Sequence, residues 1–320
     1  MNEIDKIHNL LEKEICDFPY PKTPELLYEP IKYIMGLRAK RIRPLFLLIS
    51  YNLYKSDFSN VISPALAIEF FHNFTLLHDD IMDNAPLRRG NSTVHMKWDK
   101  NIAILSGDAM MIQAYKLISQ VESHYLEKVL DIFGKTANQV CEGQQFDMDF
   151  ENSSKVTISE YLRMIQFKTA VLLAASLKIG AIIGGASEKD QNHLYEFGIN
   201  IGLAFQLKDD LLDVFGNESF GKQTGGDILS NKKTFLYLKA LQLADEITKK
   251  KLQDYYSKST NSINKVNSVK TIFSKLNVDK HTVALMKSYY LKGMKNLDVI
   301  ESKNKATLIY FANKLMDRTS

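Results

Sequence analysis

No proline occurs between residue 87 and the end of this 320-residue chain. Proline is the residue that removes a backbone donor and clashes with the preceding helical turn, so nothing in that long stretch forces a helix to stop. Only 15 glycines are spread over the whole chain, and no segment rich in Pro, Gly or Ser marks a linker. Apolar residues recur at helical spacing, with no convincing alternating run and no Asn-Gly turn between strands. The predicted fold class is therefore all-α, as one continuous domain over residues 1–320. Thr157-Ile158-Ser159-Glu160 is a capping-box sequence opening an apolar run to Ile183, and Ser187-Glu188-Lys189-Asp190 marks another start after Gly184-Gly185. Helices of about 20 residues or more are expected there, wrapped by others. The less apolar stretch from Ser257 to Val269 reads as a surface connection with short helices.

Two aspartate clusters of one form, Asp79-Asp80-Ile81-Met82-Asp83 and Asp209-Asp210-Leu211-Leu212-Asp213, each close an apolar run. Four residues separate the first and last carboxylate of each, so on a helix both project from one face a turn apart. Like charges that close repel. Acceptor oxygens in this geometry suit Mg2+, which takes one or two carboxylates, keeps waters and bridges to phosphate oxygens. A single such cluster is commonly a solvated acidic face, but Phe70 to Leu77 and Leu203 to Leu207 place both beside core-burying segments. Carboxylates there are costly unless a cation compensates them. At about 100° per residue, His72, Asp79 and Asp83 share one stripe, and Gln206, Asp209, Asp210 and Asp213 another. If the two helices face each other in a bundle, six carboxylates meet in one cavity.

Composition narrows the alternatives. A hydrophobic content of 45% supports a sizeable core. The mean hydropathy of −0.19 and the expected absence of an 18-residue apolar run argue against a membrane span. The polar start Met1-Asn2-Glu3-Ile4-Asp5-Lys6 lacks the basic and apolar regions of a secretory signal. Cys16 and Cys141 have no metal or redox spacing, so they read as core fillers in a reducing cytoplasm. A net charge of +4 is too mild to indicate nucleic acid.

Cations cluster near the acidic motifs. Lys40 and Arg43 lie three apart, with Pro44 set for a first helical turn. Arg88-Arg89-Gly90 follows five residues after Asp83, where a diphosphate could be reached. Lys168-Thr169 lies inside the apolar run from Ser159, where a lysine either snorkels or meets an anion. The loop Gly221-Lys222-Gln223-Thr224-Gly225-Gly226-Asp227 and then Asn231-Lys232-Lys233 follow the second cluster, and their spacing is not that of a P-loop.

Taken in order, Lys40 to Pro44, Leu77 to Asp83, Leu87 to Gly90, Gly143-Gln144-Gln145-Phe146-Asp147, Lys168-Thr169, Phe205 to Asp213 and Gly221 to Asp227 make the chain resemble the trans-isoprenyl diphosphate synthases, or polyprenyl synthetases. The resemblance covers nearly the whole length. It implies long helices around a deep central cavity, a cytoplasmic enzyme, a homodimer, and three Mg2+ ions for which Mn2+ can substitute. By this resemblance Asp79 and Asp83 bind two ions and Asp209 a third, with Asp80, Asp210 and Asp213 supporting them and Asp147 further out. Arg88, Lys168, Thr169, Gln206, Lys222 and Lys232 would surround an allylic diphosphate (dimethylallyl, geranyl or farnesyl). Lys40, Arg43, His72 and Arg89 would hold isopentenyl diphosphate, with Arg41 nearby.

The implied reaction ionises the allylic diphosphate, condenses the cation with isopentenyl diphosphate and loses a proton, without a protein nucleophile. Phe74, five residues before Asp79, would with Phe71 and Thr75 form the floor that limits chain growth. The first motif also lacks the two-residue insertion of many bacterial short-chain enzymes, and the pattern looks most like synthases of C15 or C20 products. A medium- or long-chain synthase is the alternative. An HD-type phosphohydrolase leaves the second motif unexplained, a class I terpene cyclase would replace it with an Asn/Ser/Glu motif, and a non-catalytic subunit would tend to lose aspartates. One departure stands out: Arg38-Ala39 occupies the place of the family's common Gly-Gly before Lys40.

Overall fold

In the computed structural model, residues 3–153, 155–216, 225–257 and 263–317 are described. Helices α1 (Glu3–Cys16), α2 (Glu25–Gly36), α3 (Ile42–Tyr51) and α4 (Ile62–Met82) precede a hairpin, β1 (Leu87–Arg88) and β2 (Asn91–Ser92). Then come α5 (Val94–Lys97), α6 (Lys100–Ile118) and α7 (Ser123–Asn152). Helix α8 (Ile158–Ile165) passes through a π turn (Gln166–Ala170) into α9 (Val171–Gly184), and α10 (Glu188–Phe215) follows. The remainder is α11 (Gly226–Leu229), α12 (Phe235–Leu243), α13 (Glu246–Ser257), α14 (Ile263–Lys275), α15 (Val278–Asp298) and α16 (Lys305–Met316). The fold is all-α, as expected from a chain so poor in helix breakers, and α7 and α10 reach 30 and 28 residues. The expected caps are present: Thr157 and Glu160 exchange both bonds of a capping box, and Ser187 Oγ accepts from Asp190 N.

Two units interleave along the chain. The first comprises Met1–Lys135, Ala175–Tyr195 and Ile300–Leu308, the second Thr136–Ala174, Glu196–Val299 and Ile309–Ser320. In the first, α4 is buried on most sides through Ala67, Ile68, Phe70, Phe71 and Phe74. A Cβ at Gly107 of α6 would stand 2.3 Å from His78 Nε2, and one at Gly180 of α9 would stand 2.1 Å from Leu47 O. At Gly180 the neighbour is backbone, so only glycine allows that approach, whereas at Gly107 the His78 ring would have to move. In the second unit, Phe197, Ile201, Ala204 and Leu207 form the inner face of α10.

Several details depart from the sequence reading. The β1–β2 hairpin was invisible to a search for alternation because each strand has two residues. Its turn residues, Arg89 and Gly90, both have positive φ, 54° and 76°, the geometry of a tight type I′ connection. The stretch Ser257 to Val269 is not all connection: α14 begins at Ile263 and buries Val266, Val269 and Phe273. Cys16 and Cys141 are exposed free thiols rather than core fillers. The stretch Ile158–Gly184 does have the length and apolarity of a span, yet 78% of its most apolar window is buried within the protein, as befits a core helix.

Candidate active site

The first aspartate motif ends α4. Asp83 caps the helix, its N–H donating to Asp79 O at 2.9 Å, so both carboxylates leave the same turn. Asp80 faces inward, 2% exposed, and the hairpin returns Arg88 to it: Nε donates to Oδ1 at 2.9 Å, and Nη2 to the same oxygen and to Asp79 Oδ2 at 3.4 Å. Burial pushes the Asp80 carboxyl up, and the hydrogen bond and charge of Arg88 oppose that shift. The reach of Arg88 depends on the left-handed Arg89-Gly90 turn, which no motif in the sequence announces.

Beside the motif lie the cations. Arg43 Nη1 stands 2.9 Å from His72 Nε2, and burial followed by the charges of Arg43, Arg89, Arg88 and Arg41 holds His72 well below the usual imidazole range. His72 is thus neutral near pH 7, and Nε2 can accept from Arg43. Arg41, expected near the substrate, is committed to protein partners. Its guanidinium is 1% exposed and bonds Glu12 at 2.8 Å, Glu69 at 2.6 Å and Met35 O at 2.6 Å. It is a strut for the segment that carries exposed Lys40 and half-buried Arg43. Below the motif, Phe74 packs edge-on to His78 (4.7 Å between centroids) and against Phe71 (5.6 Å), which in turn meets Phe133 (5.3 Å). Thr75 spends its hydroxyl on His72 O at 2.8 Å.

In the second unit, Asp210 is 3% exposed and has protein partners on both oxygens. Tyr161 donates to Oδ2, and Gln206 Nε2 to Oδ1 at 3.0 Å. Thr169 Oγ1 donates to Gln206 Oε1 at 3.0 Å, and Lys168 Nζ to Asp147 Oδ2 at 2.6 Å. Asp213 Oδ2 accepts from Asp227 N at 3.0 Å, fixing the start of α11. Lys233 Nζ donates to Phe150 O and to Glu151 O (2.9 Å), satisfying carbonyls at the end of α7 and anchoring the loop with Lys232. Burial first, and the neighbouring charge of Asp227 second, push Asp210 up to about 8, while the same burial and the Asp210 charge drive the Tyr161 phenol well up. The phenol is therefore a donor at any ordinary pH.

A cavity of about 110 Å³ opens among these groups, lined by Asp147, Tyr161, Lys168, Thr169, Gln206, Asp210, Asp227 and Lys232. Sequence reasoning singled out most of them and missed Tyr161, whose only signal, its place eight residues before Thr169, has no meaning without the π turn. Lys222 lies outside the described residues. No three His, Cys, Asp or Glu side chains converge as a complete cage among the described residues.

The polyprenyl synthetase family profile matches residues 24–273. A geranylgeranyl diphosphate synthase of Methanosarcina mazei is 36% identical over 99% of this chain and 98% of its own length. A short chain isoprenyl diphosphate synthase of Methanocaldococcus jannaschii is 42% identical over 73% of this chain and 72% of its own. Among solved structures, a geranylgeranyl pyrophosphate synthase superposes with a TM-score of 0.94 at 42% identity, covering 100% of both chains. An all-α chain with two aspartate motifs, each with a buried and braced central aspartate, is a prenyltransferase by class. The chain belongs to the polyprenyl synthetase family and is a trans-isoprenyl diphosphate synthase.

Proposed function

We propose that this enzyme joins isopentenyl diphosphate head-to-tail to allylic diphosphates and releases an all-trans C20 product, with C15 as its shorter companion. The single observation that carries the length is Phe74. It stands about 7 Å along α4 from Asp79, at about 1.5 Å per residue, and is locked in a cluster with His78, Phe71 and Phe133. Burial of each added CH2 is worth roughly 0.8 kcal/mol, so only a steric stop ends elongation in an apolar pocket. The names of the M. mazei relative and of the closely superposing structure point the same way.

Asp79 and Asp83 are assigned to hold two Mg2+ ions and Asp209 a third, with Asp80, Asp210 and Asp213 supporting. Bound there, the cations supply charge stabilisation for the departing diphosphate. Lys168, Lys232 and Lys222, with Thr169 and Gln206, orient the allylic diphosphate, and Arg88 adds its charge beside the first motif. Lys40, Arg43 and Arg89 hold isopentenyl diphosphate, and neutral His72 keeps Arg43 in place. The allylic C–O bond breaks and the electron pair leaves with diphosphate. The double bond of isopentenyl diphosphate then forms the new C–C bond, and the proton lost passes to the released diphosphate. The reaction requires that water, which would quench the cation, be kept from the allylic chain.

Incubation with isopentenyl diphosphate and each of dimethylallyl, geranyl and farnesyl diphosphate, with products sized by mass spectrometry, tests the reading. C20 is expected from all three, and a product of C30 or longer overturns it. Phe74→Ala, alone or with Phe71→Ala, should lengthen the product by at least one C5 unit; an unchanged distribution in the double variant removes both from the floor. A cytoplasmic homodimer completes the proposal, supported by the apolar surface that α6 exposes through Ile104, Leu105, Ile112 and Tyr115. Light scattering that shows only a 36.6 kDa species at micromolar concentration rules the dimer out.

A further inference from the structure

Tyr161 has no part in the reaction above, yet its ring is 2% exposed and its hydroxyl is committed to Asp210 Oδ2. The opposite oxygen, Oδ1, belongs to Gln206, which is itself held by Thr169. Two side chains of the α8–π segment, Tyr161 and Thr169, thus grip one turn of α10. An unbroken α-helix would not present them together, because eight residues at about 100° each leave them roughly 80° apart. The π turn at Gln166–Ala170 lies between them, and its wider i→i+5 winding closes part of that angle.

Two glycines secure that turn. A Cβ at Gly143 of α7 would stand 2.3 Å from Lys168 N, and one at Gly202 of α10 would stand 2.6 Å from Ala170 Cα. Backbone therefore packs against backbone on the α7 side, and the α10 helix approaches the π turn just four residues before Gln206. The ring of contacts from Tyr161 through Asp210 and Gln206 to Thr169 is closed and has little freedom to shift.

We propose that Tyr161 is a positioning residue for the second aspartate motif: with Gln206 it occupies both oxygens of Asp210, making that side chain a strut between α10 and the segment bearing Lys168 and Thr169. Direct contact with the metal then falls to Asp209. The idea rests on the reading of Asp209 as a metal-holding residue. Its consequence is a division of labour inside the motif, in which the central aspartate sets geometry and its neighbour meets the ligand. Removing the phenol oxygen should loosen the allylic half of the site and leave the isopentenyl half alone.

Tyr161→Phe keeps the ring and deletes the strut's donor. Circular dichroism checks its fold. The Mg2+ concentration for half-maximal rate and the KM for the allylic diphosphate should each rise at least threefold, while the KM for isopentenyl diphosphate stays within twofold. Independently of turnover, calorimetric binding of a sulfur-bridged, unreactive allylic diphosphate analogue in the presence of Mg2+ should weaken at least threefold. Unmoved values in both measurements overturn the proposal. Asp210→Asn supplies a second test that does not depend on Tyr161→Phe folding: a strut predicts kcat within about tenfold of wild type, against a loss of about a hundredfold or more for Asp209→Ala. Equal losses would make Asp210 a direct ligand and sink the strut. A fully active Asp209→Ala would instead bring down the reading of the site itself, whereas an inactive Asp209→Ala beside an unaltered Tyr161→Phe removes only this inference.

Discussion

Asp80 and Asp210 hold the same place in their motifs and are about equally buried, at 2% and 3% exposure, but they are braced by different chemistry. Asp80 meets a guanidinium, through two donors of Arg88. Asp210 meets a neutral phenol and a neutral amide, and the nearby Asp227 adds like charge. Burial raises both carboxyls; Arg88 works against that at Asp80, whereas Asp210 rises to about 8. The central aspartate of the first motif meets a cation from its own hairpin, and that of the second meets two neutral donors. Identical motifs in a sequence therefore need not be electrostatically equivalent.

The largest test of this comparison is catalytic. Asp79→Ala and Asp209→Ala should each cost about 3 to 4 kcal/mol of transition-state stabilisation, or roughly 10²- to 10³-fold in turnover at saturating Mg2+. Near-normal turnover in either variant would show that the motifs do not serve one reaction.

Stability should then separate the braces. Losing one partner of a buried ion pair costs about 3 to 5 kcal/mol, and with the Arg88 side chain 27% exposed, Arg88→Ala should cost about 2 to 3. Tyr161→Phe, which removes a neutral donor, should cost about 1 to 2 kcal/mol. Urea unfolding without Mg2+ measures both, and equal losses would erase the distinction between a charged and a neutral brace.

The smallest effect is in pH. The folded-state carboxyl of Asp210 lies above its unfolded value of about 3.9, so the folded protein holds an extra proton between there and about 8. That contribution is present below the unfolded value and is lost as pH rises through about 8. Metal-free stability should accordingly fall between pH 6 and pH 7 by about 1 kcal/mol more in wild type than in Asp210→Asn, near the limit of about 1.4 per pH unit. Parallel stability curves for the two proteins would place the raised carboxyl elsewhere.

Asp79, Asp83, Asp209, Lys168 and Gln206 could be singled out from the chain because they lie in motifs whose side chains suit phosphate and metal chemistry and whose order resembles a known family. Arg41 shows the limit of such reasoning: it sits in the basic motif, but only its packed surroundings reveal a guanidinium consumed by Glu12 and Glu69. The hairpin that returns Arg88 to Asp80 was equally silent, since two-residue strands carry no period.

By itself, the amino-acid sequence determined the all-α class, the capped starts near Thr157 and Ser187, and the chemistry of the aspartate and lysine motifs. These follow from local rules: the absence of proline over residues 87 to 320, hydrogen bonding at helix ends, and the period of 3.6. Tertiary structure alone decided that Tyr161 and Gln206 meet opposite oxygens of Asp210 and where the π turn falls. It also made Gly143 and Gly202 indispensable to their neighbours. Those outcomes depend on contacts between residues distant in the chain, where burial removes water as a competing partner and the energy of a polar group is set by whatever donor happens to be packed against it.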